Sequence, residues 1–280
     1  MAAFDEALRR CLLCGSEEIR EYHRDDAGIA IHRCRSCGLQ FMNPQYTDAH
    51  LADYYSRYTR DEPEWDEALT YLHESHLALL ERHLPSKGRI LDVGSGKGHL
   101  LQVAIQRGWD VQGYEVDGAL ARKLQDRIGV RVLSGAFVGI ETGSDSFDAV
   151  TMHHVLEHVK NPADYLRAIH DMLRDGGVLF LAVPNIHSLS SRMKLLMEKA
   201  GMRRRNVGKY YDTGHHVVYF TPATLRRALV RFGFQPLLLR SGHRVRPRQS
   251  PIKRFLMRNV TERNLLHSTF VCVARKLPTR

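Results

Sequence analysis

Arg89-Ile90-Leu91-Asp92-Val93-Gly94-Ser95-Gly96-Lys97-Gly98 decides how this chain reads. Its first half is a short, mostly apolar run, the mark of a buried strand, and it leads directly into three glycines at alternate positions. Glycine at such a place lets the backbone turn tightly and approach a ligand with no Cβ in the way. Leu100 to Arg107 then reads as a helix, closed by Gly108. The next strand, Asp110 to Glu115, ends in an acid 21 residues after Gly94. A carboxylate there can accept hydrogen bonds from both hydroxyls of a ribose. Strand, turn, helix and acid make a nucleoside-binding βαβ unit.

Two other glycine loops are close in form and do not fit. The dinucleotide pattern GxGxxG requires glycine at 99, where the chain has His99. The P-loop requires glycine at 91 and Ser or Thr at 98, where the chain has Leu91 and Gly98. Phosphate cradling is therefore not the expected use of this turn.

Downstream, strands and helices keep alternating. Ala119 to Ile128 reads as a helix closed by Gly129, and Val130 to Leu133 as a strand. Phe147 to Met152 reads as a strand, and Pro162 to Leu173 as a helix with proline in its first turn. Val178 to Val183 is a further strand. Such alternation implies a parallel, doubly wound α/β sheet. Leu189, Met193, Leu196, Met197 and Ala200 fit one helix face. Pro222 to Phe232 is a helix capped by Thr221. Gln235 to Leu239 and Ser268 to Arg275 are strands. Upstream, residues 46–88 read as a helical linker or cap. There Leu69, Leu72, His73, His76, Leu77, Leu80 and Leu84 recur at helical steps.

The first 45 residues carry Cys11-x-x-Cys14 and Cys34-x-x-Cys37, separated by 19 residues and each followed by glycine. In a reducing compartment this pattern favours metal over disulfides. Four thiolates make a closed tetrahedral set, so a structural Zn²⁺ in a zinc-ribbon-like module is expected. Cys272 lies in an apolar run and reads as a buried strand residue.

The chain has 280 residues, enough for about two domains. Hydrophobic residues make up 43% and charged ones 26%, as in ordinary globular proteins. No stretch is apolar enough for a transmembrane helix. The N-terminal MAAFDEALRR lacks the apolar core of a secretory signal, so a cytoplasmic location is expected. The net charge of +10 is concentrated. Segments 187–211 and 240–263 together carry +13, leaving −3 for the rest. Anionic acceptors, RNA and peripheral contact with a phospholipid surface are compatible with that charge, as is a merely solubilising surface.

Several motifs beyond the turn now carry a resemblance. They are Phe147-Asp148-Ala149-Val150 followed by His154-Val155-Leu156-Glu157-His158; Leu173-Arg174-Asp175-Gly176-Gly177 leading to Val183-Pro184-Asn185; and Gly214-His215-His216 with Tyr219-Phe220-Thr221-Pro222. With Asp92-x-Gly94-x-Gly96-x-Gly98, they resemble class I S-adenosylmethionine-dependent methyltransferases of the ubiquinone-type and sugar-type group. The two CxxCG knuckles with Phe41-Met42-Asn43-Pro44 are similar to the zinc-binding front module of bacterial, often sugar-related, members.

The resemblance implies a Rossmann-like, seven-stranded, mostly parallel sheet over 89–280, with a basic insert at 187–220 and the small zinc ribbon at 1–45. It implies S-adenosylmethionine as methyl donor. Asp92, Gly94, Gly96 and Gly98 would pass beneath it and Glu115 would hold its ribose. Ala136 and Phe137 would flank the adenine, and His153 would line the sulfonium end. The family's counterpart of Gly135-Ala136-Phe137 often includes an acid, and this stretch has none.

His154-x-x-Glu157-His158 also fits an inverted zinc-protease motif. That motif needs a long helix, and Asn161-Pro162 stop this segment early. Ubiquinone-type relatives carry Glu-x-x-Glu-His here, a set that binds a divalent cation. His154 replaces the first Glu, and imidazole is a poor ligand for a hard cation. Glu157 is therefore expected to pack and hydrogen-bond beneath the cofactor.

The resulting expectation is methyl transfer to oxygen or carbon of a small-molecule or sugar-type acceptor. Such an acceptor loses a proton, and histidine is the side chain best tuned to take it. His216 is the first candidate, with His215, His158 and Tyr219 behind it. Rival readings are an RNA methyltransferase using the zinc ribbon and basic segments, and a non-catalytic adaptor with a degenerate methyltransferase fold. The missing Asn/Asp-Pro-Pro-Tyr after the fourth strand argues against adenine-N6 chemistry.

Overall fold

The computed structural model describes residues 3–25, 27–58, 67–142, 146–200, 210–242 and 267–278. Strand β4 (Arg89–Val93) is an inner strand of a seven-stranded sheet, with Ile90, Leu91 and Val93 buried. It pairs in parallel with β5 (Asp110–Tyr114) on one side and β7 (Phe147–His153) on the other. Beyond β5 lies β6 (Val132–Leu133); beyond β7 come β8 (Leu173–Pro184), β11 (Thr269–Lys276) and β10 (Phe234–Gly242). Only β11 runs antiparallel to its neighbours. The chain leaves β4 to one side and later returns to its other side. At such a reversal, the loops at the strands' carboxyl ends part and leave a crevice.

Both faces of this sheet are covered. Helices α2 (Glu67–Glu81), α3 (His99–Gln106) and α4 (Gly118–Ile128) bury Leu77, Leu80, Leu101 and Leu124 against Ile90, Val111 and Phe180 on one face. On the other, α5 (Pro162–Met172) and α7 (Pro222–Arg231) bury Leu166, Ile169, Leu225 and Leu229. That second core is continuous with Phe41, Met42, Cys11 and Cys34 of the N-terminal residues.

Those N-terminal residues form a second sheet: β1 (Ile19–Arg24), β2 (Ala30–Cys34), β3 (Gln40–Met42) and β9 (Val218–Tyr219). Its last strand comes from the far half of the chain, with Gln40 opposite Tyr219 and Phe41 opposite Val218. Residues 46–88, read as a helical linker or cap, contain α1 (Asp48–Tyr58) and α2.

Strand β8 and the helix that follows it differ from what their sequences lead one to expect. The strand expected from Val178 starts at Leu173, and its pairing with β7 is interrupted between Phe147 and Ala149. Gly176, at φ 75°, carries the backbone through that irregularity. Helix α6 (Leu189–Lys199) forms as the periodicity predicts, but Leu189, Met193 and Leu196 on its apolar side are exposed. The basic segments fall largely outside the described residues: of 240–263 only 240–242 are described, and of 187–211 the stretch 201–209 is not. Among the described residues no helix is long and apolar enough to cross a membrane.

Candidate active site

One side of the crevice is built by the glycine turn. Gly94 and Ser95 donate their amides to the Tyr114 carbonyl at 2.8 and 2.9 Å, tying the turn to β5. Gly94 sits at φ 77°, and a Cβ there would stand 2.4 Å from Val155 Cγ2. Gly96, at φ 51°, differs: the nearest atom to an added Cβ would be the Gly94 carbonyl oxygen at 4.0 Å. Packing thus requires glycine at 94, whereas open space lies over 96. Glu115 borders that space. Its carboxylate accepts from the Gly96 amide at 2.8 Å and the Asp117 amide at 3.2 Å. Burial pushes its pKa up, against those amides. Asp92 is fully enclosed and accepts from Thr151 Oγ1 at 2.7 Å; burial raises its pKa to about 7. It braces β4 against β7 from inside.

The two residues expected beside adenine separate. Ala136 is exposed at the end of β6. The Phe137 ring is 2% exposed, stacked on Tyr165 at 4.4 Å and meeting Tyr114 edge-on at 4.9 Å. Tyr114 donates its hydroxyl to the Gly135 carbonyl at 2.7 Å, fixing the loop. Phe137 is thus a core residue beneath this loop, and Ala136 is the one at its surface. His153 ends β7 with its ring against both His76 and Phe180, on the α2 side of the sheet.

The opposite side of the crevice is assembled from distant segments. Glu157, in a single 3₁₀ turn (Leu156–His158), is 2% exposed. Its Oε1 lies 3.2 Å from His154 Nδ1, and its Oε2 has no partner among the described residues. Burial opposes its charge, but the His154 bond and the neighbouring His158 and His216 hold its pKa below the ordinary value. His154 adopts φ 55°, which swings the chain from β7 into that turn.

His158, His215 and His216, the candidate bases, come together in the structure. Ring centroids stand 4.8 Å apart for His158–His216, 5.0 Å for His158–His215 and 4.4 Å for His215–His216. Burial lowers the pKa of His216 to about 4, against the pull of Glu157, and lowers His158 as well. Both are neutral near pH 7 and can accept a proton. Tyr219 donates to the His216 carbonyl at 2.9 Å and is 4% exposed, so its hydroxyl supports the turn and does not face the crevice.

Two residues of the site were missing from the sequence reading. Tyr54 stacks on His215 at 5.1 Å, and Tyr55 meets His158 edge-on at 5.9 Å. Burial pushes the Tyr55 hydroxyl well above the ordinary phenol value, and the charges of Glu157 and Glu115 add to it. Tyr55 thus packs against the histidine side. A Tyr-Tyr pair in the otherwise polar α1 was the only signal.

The cysteines fit a metal. Sγ–Sγ distances are 3.5 Å for Cys11–Cys37 and 3.6 Å for Cys14–Cys34, and all four sulfurs lie within 4.8 Å of one another. A tetrahedral site with Zn–S of about 2.3 Å requires separations of about 3.8 Å. Helix α7 grips both knuckles, Arg227 donating to the Cys37 carbonyl at 2.5 Å and Arg231 to that of Cys14 at 3.4 Å.

Comparison with known proteins agrees with this geometry. Residues 64–239 match the methyltransferase domain family. A ubiquinone biosynthesis O-methyltransferase of Aeromonas salmonicida is 32% identical over 145 residues, covering 50% of this chain and 59% of that protein. One from Pseudomonas aeruginosa is 35% identical over 103 residues, covering 35% and 44%. The chain spans about half the length of the curated relatives it matches. Among solved structures, a 1,6-didemethyltoxoflavin-N1-methyltransferase of Burkholderia thailandensis superposes with TM-score 0.56 at 20% identity, over 92% of this chain and 100% of that one. A complex of the Haloferax volcanii Trm112 methyltransferase activator with a methyltransferase gives 0.57 at 14%, over 82% and 99%. At these identities the structural likeness speaks for the fold.

Proposed function

This chain belongs to the methyltransferase domain family, and from that premise we propose that it transfers a methyl group from S-adenosylmethionine to oxygen or carbon of a small-molecule or sugar-type acceptor. The observation that carries the reading is the open space over Gly96 beside Glu115, at the reversal point of the sheet. Asp92, Gly94, Gly96 and Gly98 would lie beneath the donor. Glu115 would exchange its loop amides for ribose hydroxyls. When bound, the donor supplies an electrophilic methyl on a sulfonium whose positive charge is lost as the methyl leaves.

The chain's residues then have three tasks. Tyr55, Tyr165 and the core beneath them exclude water, so that a bound acceptor is held in line with little solvent to reorganise. His216, neutral at pH 7 because it is buried, takes the acceptor's proton. Glu157 lies behind the histidines, and its charge stabilises the imidazolium that results. His158 and His215 enclose the same space and are the alternatives as base. The cysteine knuckles would hold a structural Zn²⁺ that keeps the N-terminal sheet in place. Similarity to ubiquinone-pathway O-methyltransferases supports a small molecule as acceptor, whereas the RNA reading rests on charge that lies mostly outside the described residues.

The test has two arms. Calorimetry with S-adenosylhomocysteine should show binding that weakens about 10- to 100-fold in Glu115→Gln, as for loss of hydrogen bonds to a charged group worth roughly 1.5–3 kcal/mol. A labelled-methyl assay over fractionated extract should place label in small molecule or glycan. In His216→Ala it should fall about 100-fold or more with donor binding intact, as for loss of a general base. No product binding by the intact chain would end the donor assignment. Label entering RNA would end the acceptor assignment.

A further inference from the structure

A second group of three histidines lies outside the acceptor side of the crevice. His73 and His76 stand three residues apart on α2, which places both on one helix face. That face is turned to the sheet, as the buried Leu77 and Leu80 show. It meets His153, the last residue of β7. His76 Nδ1 is 3.0 Å from His153 Nε2, and the His73 ring meets the His153 ring edge-on with centroids 5.1 Å apart. One ring nitrogen from each of the three lies within 4.8 Å of the others. Phe180 closes the group from below, its ring 4.8 Å from His76 and 4.9 Å from His153.

As a hydrogen-bonded cluster this arrangement is incomplete. A single proton shared between His76 and His153 leaves His73 Nδ1 and His153 Nδ1 buried with no partner among the described residues. Buried polar atoms in native proteins are rarely left so. An imidazole in its neutral form offers one ring nitrogen to a metal ion.

We propose that His73, His76 and His153 form a second metal site, for a divalent transition ion of the Zn²⁺ class, separate from the four cysteines. The donor set is three neutral nitrogens with no carboxylate. Such a set suits Zn²⁺, Co²⁺, Ni²⁺ or Cu²⁺ and rejects Mg²⁺ and Ca²⁺, which require oxygen. Three protein ligands leave one position of a tetrahedron open. The ion ties α2 to the end of β7, from which the chain turns at His154 towards Glu157. It thereby joins a helix N-terminal to the glycine turn to the strand end that feeds the acceptor side.

The full-length chain, stripped by chelator and reloaded with Zn²⁺, should hold two metal equivalents by elemental analysis. His73→Gln and His76→Gln should each reduce that to one, and Cys34→Ser should remove the other. Cobalt loading distinguishes the sites, because thiolate ligands give intense near-ultraviolet charge-transfer absorption and imidazoles do not. That absorption should be unchanged in His73→Gln, whose half-buried position makes it the milder variant if His76→Gln folds poorly. A saturated wild-type chain holding one equivalent, bound by the cysteines, overturns the proposal. So does a second equivalent that survives both glutamine variants but is lost in His216→Ala, which would assign it to His158, His215 and His216.

Discussion

The donor side of the crevice is drawn from neighbouring strand–turn–helix units, whereas the acceptor side is drawn from four separate stretches. Asp92 to Gly98, Glu115 and Gly135 to Phe137 follow one another along the chain, and each is placed by the strand it terminates. Tyr54 and Tyr55, the Glu157–His158 turn, His215–His216 and the N-terminal sheet are brought together only by long-range contacts. The Val217 amide donates to the Glu157 carbonyl at 2.9 Å, and the Met42 amide to the Val217 carbonyl at 2.9 Å. Thr213 Oγ1 donates to Asp25 at 2.6 Å, and Tyr46 donates to the Thr213 carbonyl at 2.9 Å. A site built locally withstands damage elsewhere, while one built from distant pieces depends on all of them.

Zinc removal should separate the two sides most. Cys34 is fully buried, and structural zinc in small modules contributes on the order of 10 kcal/mol to their folding. In Cys34→Ser, or after chelation, methyl transfer should fall by more than about 100-fold, or about 2.7 kcal/mol in the barrier. Calorimetric affinity for S-adenosylhomocysteine should change by less than about threefold, or about 0.7 kcal/mol. Equal loss of both would mean that the donor side also depends on the N-terminal sheet.

Gly94→Ala attacks the donor side. The left-handed backbone costs about 1–2 kcal/mol, and the overlap with Val155 adds about 1–3 kcal/mol. Thermal melting should fall accordingly. Gly96→Ala carries the backbone cost without the overlap, so it should melt higher than Gly94→Ala while still losing donor affinity. Equal melting temperatures would count against the different roles assigned to the two glycines.

Acid should act on the acceptor side. The His216 pKa is lowered from 6.5 to about 4 in the folded chain, so the unfolded chain binds this proton first. Folded-state stability from this group is complete above pH 6.5 and is lost as pH falls towards about 4, by about 3 kcal/mol. Denaturant titrations across that window should show a shallower pH dependence in His216→Ala than in the parent. An unchanged slope would remove His216 from that account.

The smallest effect belongs to Lys160, which bridges Asp5 at 2.6 Å and Asp48 at 2.7 Å and so joins the N-terminus to α1. Both carboxylates are exposed, so Lys160→Ala should cost about 1 kcal/mol or less. A larger loss in chemical denaturation would show that α1 is held mainly there.

The sequence reading succeeded where structure follows local pattern. It placed β4 at its observed limits and put the acid at the end of β5, because buried strands and glycine turns are marked by adjacent residues. The cysteine spacing likewise identified the four sulfurs that cluster. It did not foresee that Val218–Tyr219 would complete the N-terminal sheet, since two residues carry no periodicity. Tyr55 was invisible for the same reason, as nothing in α1 states what it packs against. His73 and His76 read as part of a helix stripe, and only β7 shows what they face.

By itself, then, the sequence determined the glycine turn, the acid that follows β5, the alternating strands and the set of four cysteines. Each depends on backbone conformation or chemistry encoded within a few residues. The tertiary structure alone decided which histidines meet, which of them stand over Glu157 and that the N-terminal sheet supports them. Those facts depend on contacts between residues far apart in the chain, His158 with His215 across 57 positions and Tyr46 with Thr213 across 167. Side-chain identity permits such contacts, but only the packed chain selects among them.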